Sequence, residues 1–300
     1  MQYTANVNKI TFWFILPFLF LLYFSYLMFD YFKSDNSNID KILHQNKNNT
    51  MNKDNIHGII LGGSNAFFGL SAEILKKESG NEWLNLSLLN EGYSDENYWD
   101  FIGETLSEKQ RLSISKVIYS SITPLISKDD YQKRIDSNQD LVGKKPIGLL
   151  PSISLISRLK GNNNTVVYPI QNSYGDFNFS EFECKFSNKP NYKPNINDEE
   201  IKLWVENQIL KLESYFPNAT IYFVIPSQFY TSDFNKKEIL TLNKKIKIYI
   251  DQHNKKYQSK IIFIPQEDLP DRNFICDDLH HPNEEGRMWR TKNLSDHIFK

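Results

Sequence analysis

The first strongly patterned stretch of the chain is apolar without interruption. Ile10 to Phe29 runs for 20 residues with no charge. About 20 such residues span a bilayer as a helix, aromatic residues near the ends suit its interfaces, and Pro17 is tolerable there. A secretory leader would have a shorter apolar core and a small-residue cleavage site. Tyr26-Leu-Met-Phe29 offers none. The segment is therefore read as a single membrane anchor. Lys9 precedes it, and Asp30, Lys33, Asp35 and Asp40 follow. This leans towards a cytoplasmic amino terminus, with the bulk of the chain in the periplasm or outside the cell.

From Ser34 to Asn55 the apolar period disappears among Asn, Asp and Lys, as in a flexible linker. A regular alternation follows. Ile59-Ile60-Leu61 reads as a buried strand stopped by Gly62-Gly63, and Leu70 to Lys77 as a short helix. Trp83 to Leu89 reads as a second strand, and a helix capped by Ser94 carries Tyr98, Phe101, Ile102 and Leu106 on one stripe. Val117 to Tyr119, Ile221 to Ile225 and Ile261 to Ile264 are three further strands. Ile201 to Leu212 and Ile239 to Tyr249 mark the helices between them, and Asn283 to Phe299 a last helix. Strands alternating with helices predict an α/β sandwich on a parallel sheet. Residues 127–197 break the rhythm and are read as an insertion, either folded over the site or a surface decoration. The expected organisation is a tail at 1–9, an anchor at 10–29, a linker at 30–56 and one domain at 57–300.

Composition narrows the function classes. A formal charge of −1 gives no argument for nucleic acid, and mean hydropathy of −0.50 sets the apolar segment apart from the rest. Two cysteines, Cys184 and Cys276, do not make a disulfide framework, and both a pair and two free thiols stay open. Six histidines without a third ligand at a helpful spacing argue against a metal site, and no cofactor is expected.

The candidate chemistry lies at the two ends of the domain. Ser64 follows Gly62-Gly63 just past the first strand, where a helix amino terminus would offer it backbone N–H groups. Taken alone, Ser64 or Asn65 could merely cap a helix. Asp278 and His281 stand three apart before the last helix, so carboxylate and ring can share one side of a tight loop. Asp277 and His280 form a second pair at the same spacing; Pro282-Asn283 after His281 favours the first. A serine needs a histidine to take its proton, and the histidine a carboxylate to fix its tautomer. A parallel sheet can bring both ends to one edge.

This arrangement resembles the SGNH (GDSL-like) hydrolase superfamily: a serine after the first strand and Asp-x-x-His before the last helix. The resemblance covers Ile59 to Phe299 without the insertion. It implies a flavodoxin-like three-layer sandwich with Ser64 as nucleophile, Asp278 as acid and His281 as base. Asn85 to Gly92 resembles the second block, which implies that Gly92, with Ser64, donates a backbone N–H to an oxyanion. The third block departs: Tyr119-Ser120-Ser121-Ile122-Thr123 has no Asn, so Ser121 or Thr123 substitutes or the hole has two donors. Membrane-tethered relatives imply a serine esterase or O-acyltransferase, of O-acetyl type, acting on an envelope or surface polysaccharide in the bacterial inner membrane. Its partners would be an acyl donor, a glycan acceptor and a multi-pass donor protein. The competing expectation is an inactive protein of the same fold that binds or assembles polysaccharide.

Overall fold

The computed structural model describes residues 23–25, 47, 55–88, 95–121, 171–179, 184, 197–226, 233–265, 269, 271–276 and 281–299. The chain divides into two compact units, Met1–Ile39 with Asn138–Tyr168, and Asp40–Ser137 with Pro169–Lys300. In the first, Tyr23 to Ser25 is helical; the rest of the expected anchor lies outside the described residues. Among the described residues, no helix is long and apolar enough to cross a membrane. The second unit carries Ser64 and His281.

Among the described residues its centre is a five-stranded parallel sheet: β1 (Gly58–Gly62), β2 (Trp83–Asn85), β3 (Lys116–Ser120), β4 (Thr220–Val224) and β5 (Ile261–Ile264), in the order β2-β1-β3-β4-β5. The helices are α1 (Ser64–Gly69), α2 (Ala72–Ser79), α3 (Asp95–Thr105), α4 (Glu108–Ser113), α5 (Asp198–Tyr215), α6 (Asp233–Tyr257) and α7 (Glu284–Phe299). β1, β3 and β4 are buried along both faces, which suits their unbroken apolar runs, whereas the edge strand β5 leaves Ile262 exposed. On one face Ile60, Ile118, Tyr222, Val224 and Ile264 pack with Leu75 of α2 and with Leu294 and Ile298 of α7. On the other, Tyr119 and Phe223 meet Trp204 of α5, and the Tyr119 hydroxyl donates to Gln208 Oε1 at 3.1 Å.

The strands fall where the apolar runs predict them. β2 is shorter than expected, ending at Asn85, yet Leu86 N–H still donates to Ile60 O at 2.8 Å and Leu88 N–H to Gly62 O at 2.9 Å. Two helices went unpredicted. α1 starts at Ser64 itself, six residues before the expected helix, and α4 is opened by a Ser107–Gln110 capping box. The Ser94 cap lies outside the described residues.

The strand order places β1 between β2 and β3, so the connection leaves β1 towards one edge and later returns on its other side. In open parallel sheets the crevice at the carboxyl ends of such a pair is where ligands bind. Ser64 follows β1, and Ser120 ends β3.

The described parts of the insertion pack against this end of the unit. Gln171 and Phe177 form an antiparallel bridge, and Tyr174 O accepts from Asn85 N–H at 2.8 Å. Asp176 is buried and caps α2, accepting from Ser71 Oγ and Ala72 N–H at 2.8 Å and from Glu73 N–H at 3.0 Å. Lys47, inside the stretch expected to be a linker, is helical and fully buried, donating to Asn85 O at 2.5 Å and Gly175 O at 2.9 Å.

Candidate active site

β1 ends on a glycine for a steric reason. Gly62 has φ +135°, where a side chain is strained, and a Cβ there would lie 1.8 Å from Ser120 O. Its N–H donates to the hydroxyl of Tyr98 on α3 at 2.9 Å. This turn delivers Gly63 as the residue before α1 and Ser64 as the first residue of the helix, where backbone N–H groups have no partner within the helix. Asn65, Ala66, Phe67, Phe68 and Gly69 are all buried, so α1 is held by packing despite its short length.

His281 arrives from the other end of the chain on a loop pinned at its base. Ile275 and Pro282 form an antiparallel bridge, Cys276 N–H donates to His281 O at 2.8 Å, and Asn283 N–H donates to Phe274 O at 2.9 Å. Asn283 Oδ1 then accepts from Gly286 N–H at 3.0 Å in the first turn of α7. Cys276 is joined to Cys184 by a disulfide, which resolves the open question of pairing and ties the insertion to this loop.

The two ends meet. His281 Nε2 lies 2.8 Å from Ser64 Oγ across 217 positions of sequence. The histidine that reaches the serine is thus the one followed by Pro282-Asn283; His280 lies outside the described residues. So do Asp278 and Gly92, the expected acid and oxyanion donor. Accepting the serine proton at Nε2 requires the other ring nitrogen, Nδ1, to carry hydrogen and therefore to need an acceptor.

One side of the imidazole is aromatic. The Phe68 ring sits 4.9 Å from that of His281, and Phe177 and Phe179 of the insertion stack around Phe68 at 4.7 and 6.4 Å. Arg287 of α7 lies 4.7 Å above Phe179 and donates to Phe177 O, and burial pushes its guanidinium down from the usual arginine value. These residues gave no sequence signal beyond being apolar or basic, since their partners lie about a hundred positions away.

In the third block, Ser120 does not stand in for the missing Asn as a free donor. Its hydroxyl donates to Asn65 Oδ1 at 3.0 Å and accepts from Arg290 at 2.9 Å. Ser121 is buried, and Thr123 lies outside the described residues. Among the described residues, no group of three His, Cys, Asp or Glu is placed to hold a metal.

No protein-family model matches the chain, and no curated protein matches it in sequence. A solved structure from Streptococcus pneumonia, described as a candidate platelet activating factor, aligns with TM-score 0.40 and 11% identity over 91% of this chain and 96% of that one. A likeness at that level carries no argument about function, which is therefore read from the site's own residues.

Proposed function

We propose that the chain is a serine esterase or O-acyltransferase of the SGNH type, anchored by Ile10 to Phe29 in a bacterial inner membrane and acting on an envelope polysaccharide. The observation that carries this reading is the 2.8 Å contact between His281 Nε2 and Ser64 Oγ. Supporting it, the order β2-β1-β3-β4-β5 is that of flavodoxin-like doubly wound sheets, with Ser64 at the switch point. The Cys184–Cys276 disulfide suits an oxidising compartment such as the periplasm.

In the mechanism, His281 Nε2 takes the Ser64 proton as Oγ attacks an ester carbonyl. Asp278 accepts the Nδ1 hydrogen of His281 and steadies the imidazolium. The backbone N–H groups of Ser64 and Gly92 hold the oxyanion. The C–O bond to the leaving alcohol breaks, and the alkoxide takes the proton from His281. Water or a sugar hydroxyl then gives its proton to His281 and attacks the acyl carbon; the bond from that carbon to Ser64 Oγ breaks, and Oγ takes the proton back from His281. The acyl group is acetyl, drawn from a donor supplied by a multi-pass partner. The missing third-block Asn favours a second reading, an inactive binding or assembly protein.

The acylation of surface glycans in cells carrying Ser64→Ala separates these. Loss of O-acetyl groups fits a transferase and gain fits an esterase; unchanged glycans with normal protein levels contradict both and leave the binding protein.

A further inference from the structure

Arg290, like Tyr98, His281 and Ser120, converges on the turn that holds Ser64. It sits on α7 and is buried. Its Nη1 donates to the backbone carbonyl of Asn65, the residue after Ser64, at 2.9 Å. Its Nη2 donates at 2.9 Å to Ser120 Oγ, which in turn donates to Asn65 Oδ1 at 3.0 Å. The planar fork thus grips Asn65 from both its backbone and, through Ser120, its side chain. A point charge such as lysine cannot reach both. Room for the guanidinium exists because residue 69 is glycine: a Cβ there would lie 2.4 Å from Nη1.

The electrostatics of this arginine are unusual. Burying a cation without a counter-charge is costly, and such groups are normally paired. Arg287, one turn earlier on α7, feels Asp176, Glu284 and Glu73. Among the described residues Arg290 has no such neighbour: burial acts on it, pushing it down to about 9, which leaves it charged at neutral pH. Its two acceptors, Asn65 O and Ser120 Oγ, are neutral.

We propose that Arg290 is the positioning residue of Ser64, fixing the first turn of α1 through Asn65 and Ser120 so that Oγ stays on the His281 nitrogen. The inference rests on the serine-enzyme reading and extends it to a residue outside the Ser–His–Asp set. It also accounts for Ser120: the hydroxyl at the third block serves the nucleophile's scaffold instead of the oxyanion.

The test uses the full-length protein and a fluorophosphonate, in which Ser64 Oγ forms the P–O bond, the P–F bond breaks, fluoride leaves and His281 takes the serine proton. Saturation kinetics give the maximal labelling rate and the probe's half-saturation concentration. Arg290→Ala is expected to lower the maximal rate about a hundredfold with half-saturation unchanged. Added guanidinium, although it lowers the melting temperature, is expected to restore labelling in this variant alone. Arg290→Lys, keeping the charge without the fork, should fall between. A folded Arg290→Ala labelled within about twofold of the parent overturns the proposal, as does a slow variant that guanidinium does not rescue. Should Arg290→Ala not fold, Ser120→Ala decides: a loss of about tenfold or more supports the clamp, and parental labelling overturns it. If the parent protein itself is not labelled, the serine-enzyme reading falls, and the clamp with it.

Discussion

The backbone N–H of Cys276 donates to the carbonyl of His281 at 2.8 Å, so the disulfide-bonded residue and the histidine close the same loop. The cross-link therefore acts on the base of the loop that presents the imidazole, besides closing 92 residues of chain. Replacing Cys184 and Cys276 by serine is expected to cost about 2–4 kcal/mol. Thermal melting checks this, and fluorophosphonate labelling of the same variant should slow while it is still folded. Unchanged melting and labelling would mean that the loop is held by its backbone bonds alone.

Asp176 offers a second stability prediction. Besides the α2 cap it accepts from Asn85 Nδ2 at 3.2 Å, so one buried carboxylate joins β2, α2 and the insertion. Asp176→Ala removes the acceptor for four donors and is expected to destabilise by on the order of 3 kcal/mol. Melting curves would show this. A loss no larger than that of a surface Asp would contradict the insertion's packing.

Lys47 makes stability depend on pH. Burial pushes its ammonium from the usual 10.5 down to about 7, partly opposed by Asp176. Between about 7 and 10.5 the unfolded chain holds one more proton at this residue than the folded one. Stability from this group therefore rises with pH across that window and is level below it. Relative to Lys47→Met, the parent should gain about 1 kcal/mol per pH unit there. Paired melting curves across the window test it; parallel curves would place Lys47 in water.

Gly62→Ala tests the turn before the nucleophile. Positive φ and the carbonyl of Ser120 leave no room for a methyl group. The variant is expected to lose labelling at Ser64 and melt at least several degrees lower. A parent-like protein would show that the turn has another conformation.

What was legible in the sequence follows from which forces are local. Ile59 to Leu61, Val117 to Tyr119 and Ile221 to Ile225 read as strands because burial on both faces of a sheet leaves an unbroken apolar run. Ser64 and His281 were legible because few residue types move protons and both stood at the edges of such elements. α1 was not, since six residues after Gly62-Gly63 have too little period to separate a helix from a turn. It is the burial of Phe67 and Phe68, with the grip on Asn65, that makes this segment helical. α4 has a capping box but buries nothing, so its signal lay in Ser107 and Gln110 and not in any stripe. Arg290, Asp176 and Lys47 carry no local pattern, because their partners lie in distant parts of the chain.

Ser64 acts as a nucleophile activated by His281 in the proposed reaction. The most direct test of this is the intact mass of the full-length protein after fluorophosphonate treatment, with the modified residue located by peptide mapping. The expected result is one adduct, on Ser64, absent from Ser64→Ala and strongly reduced in His281→Ala but not in His280→Ala. A well-folded parent protein with no adduct, or one equally labelled after Ser64→Ala, would contradict it.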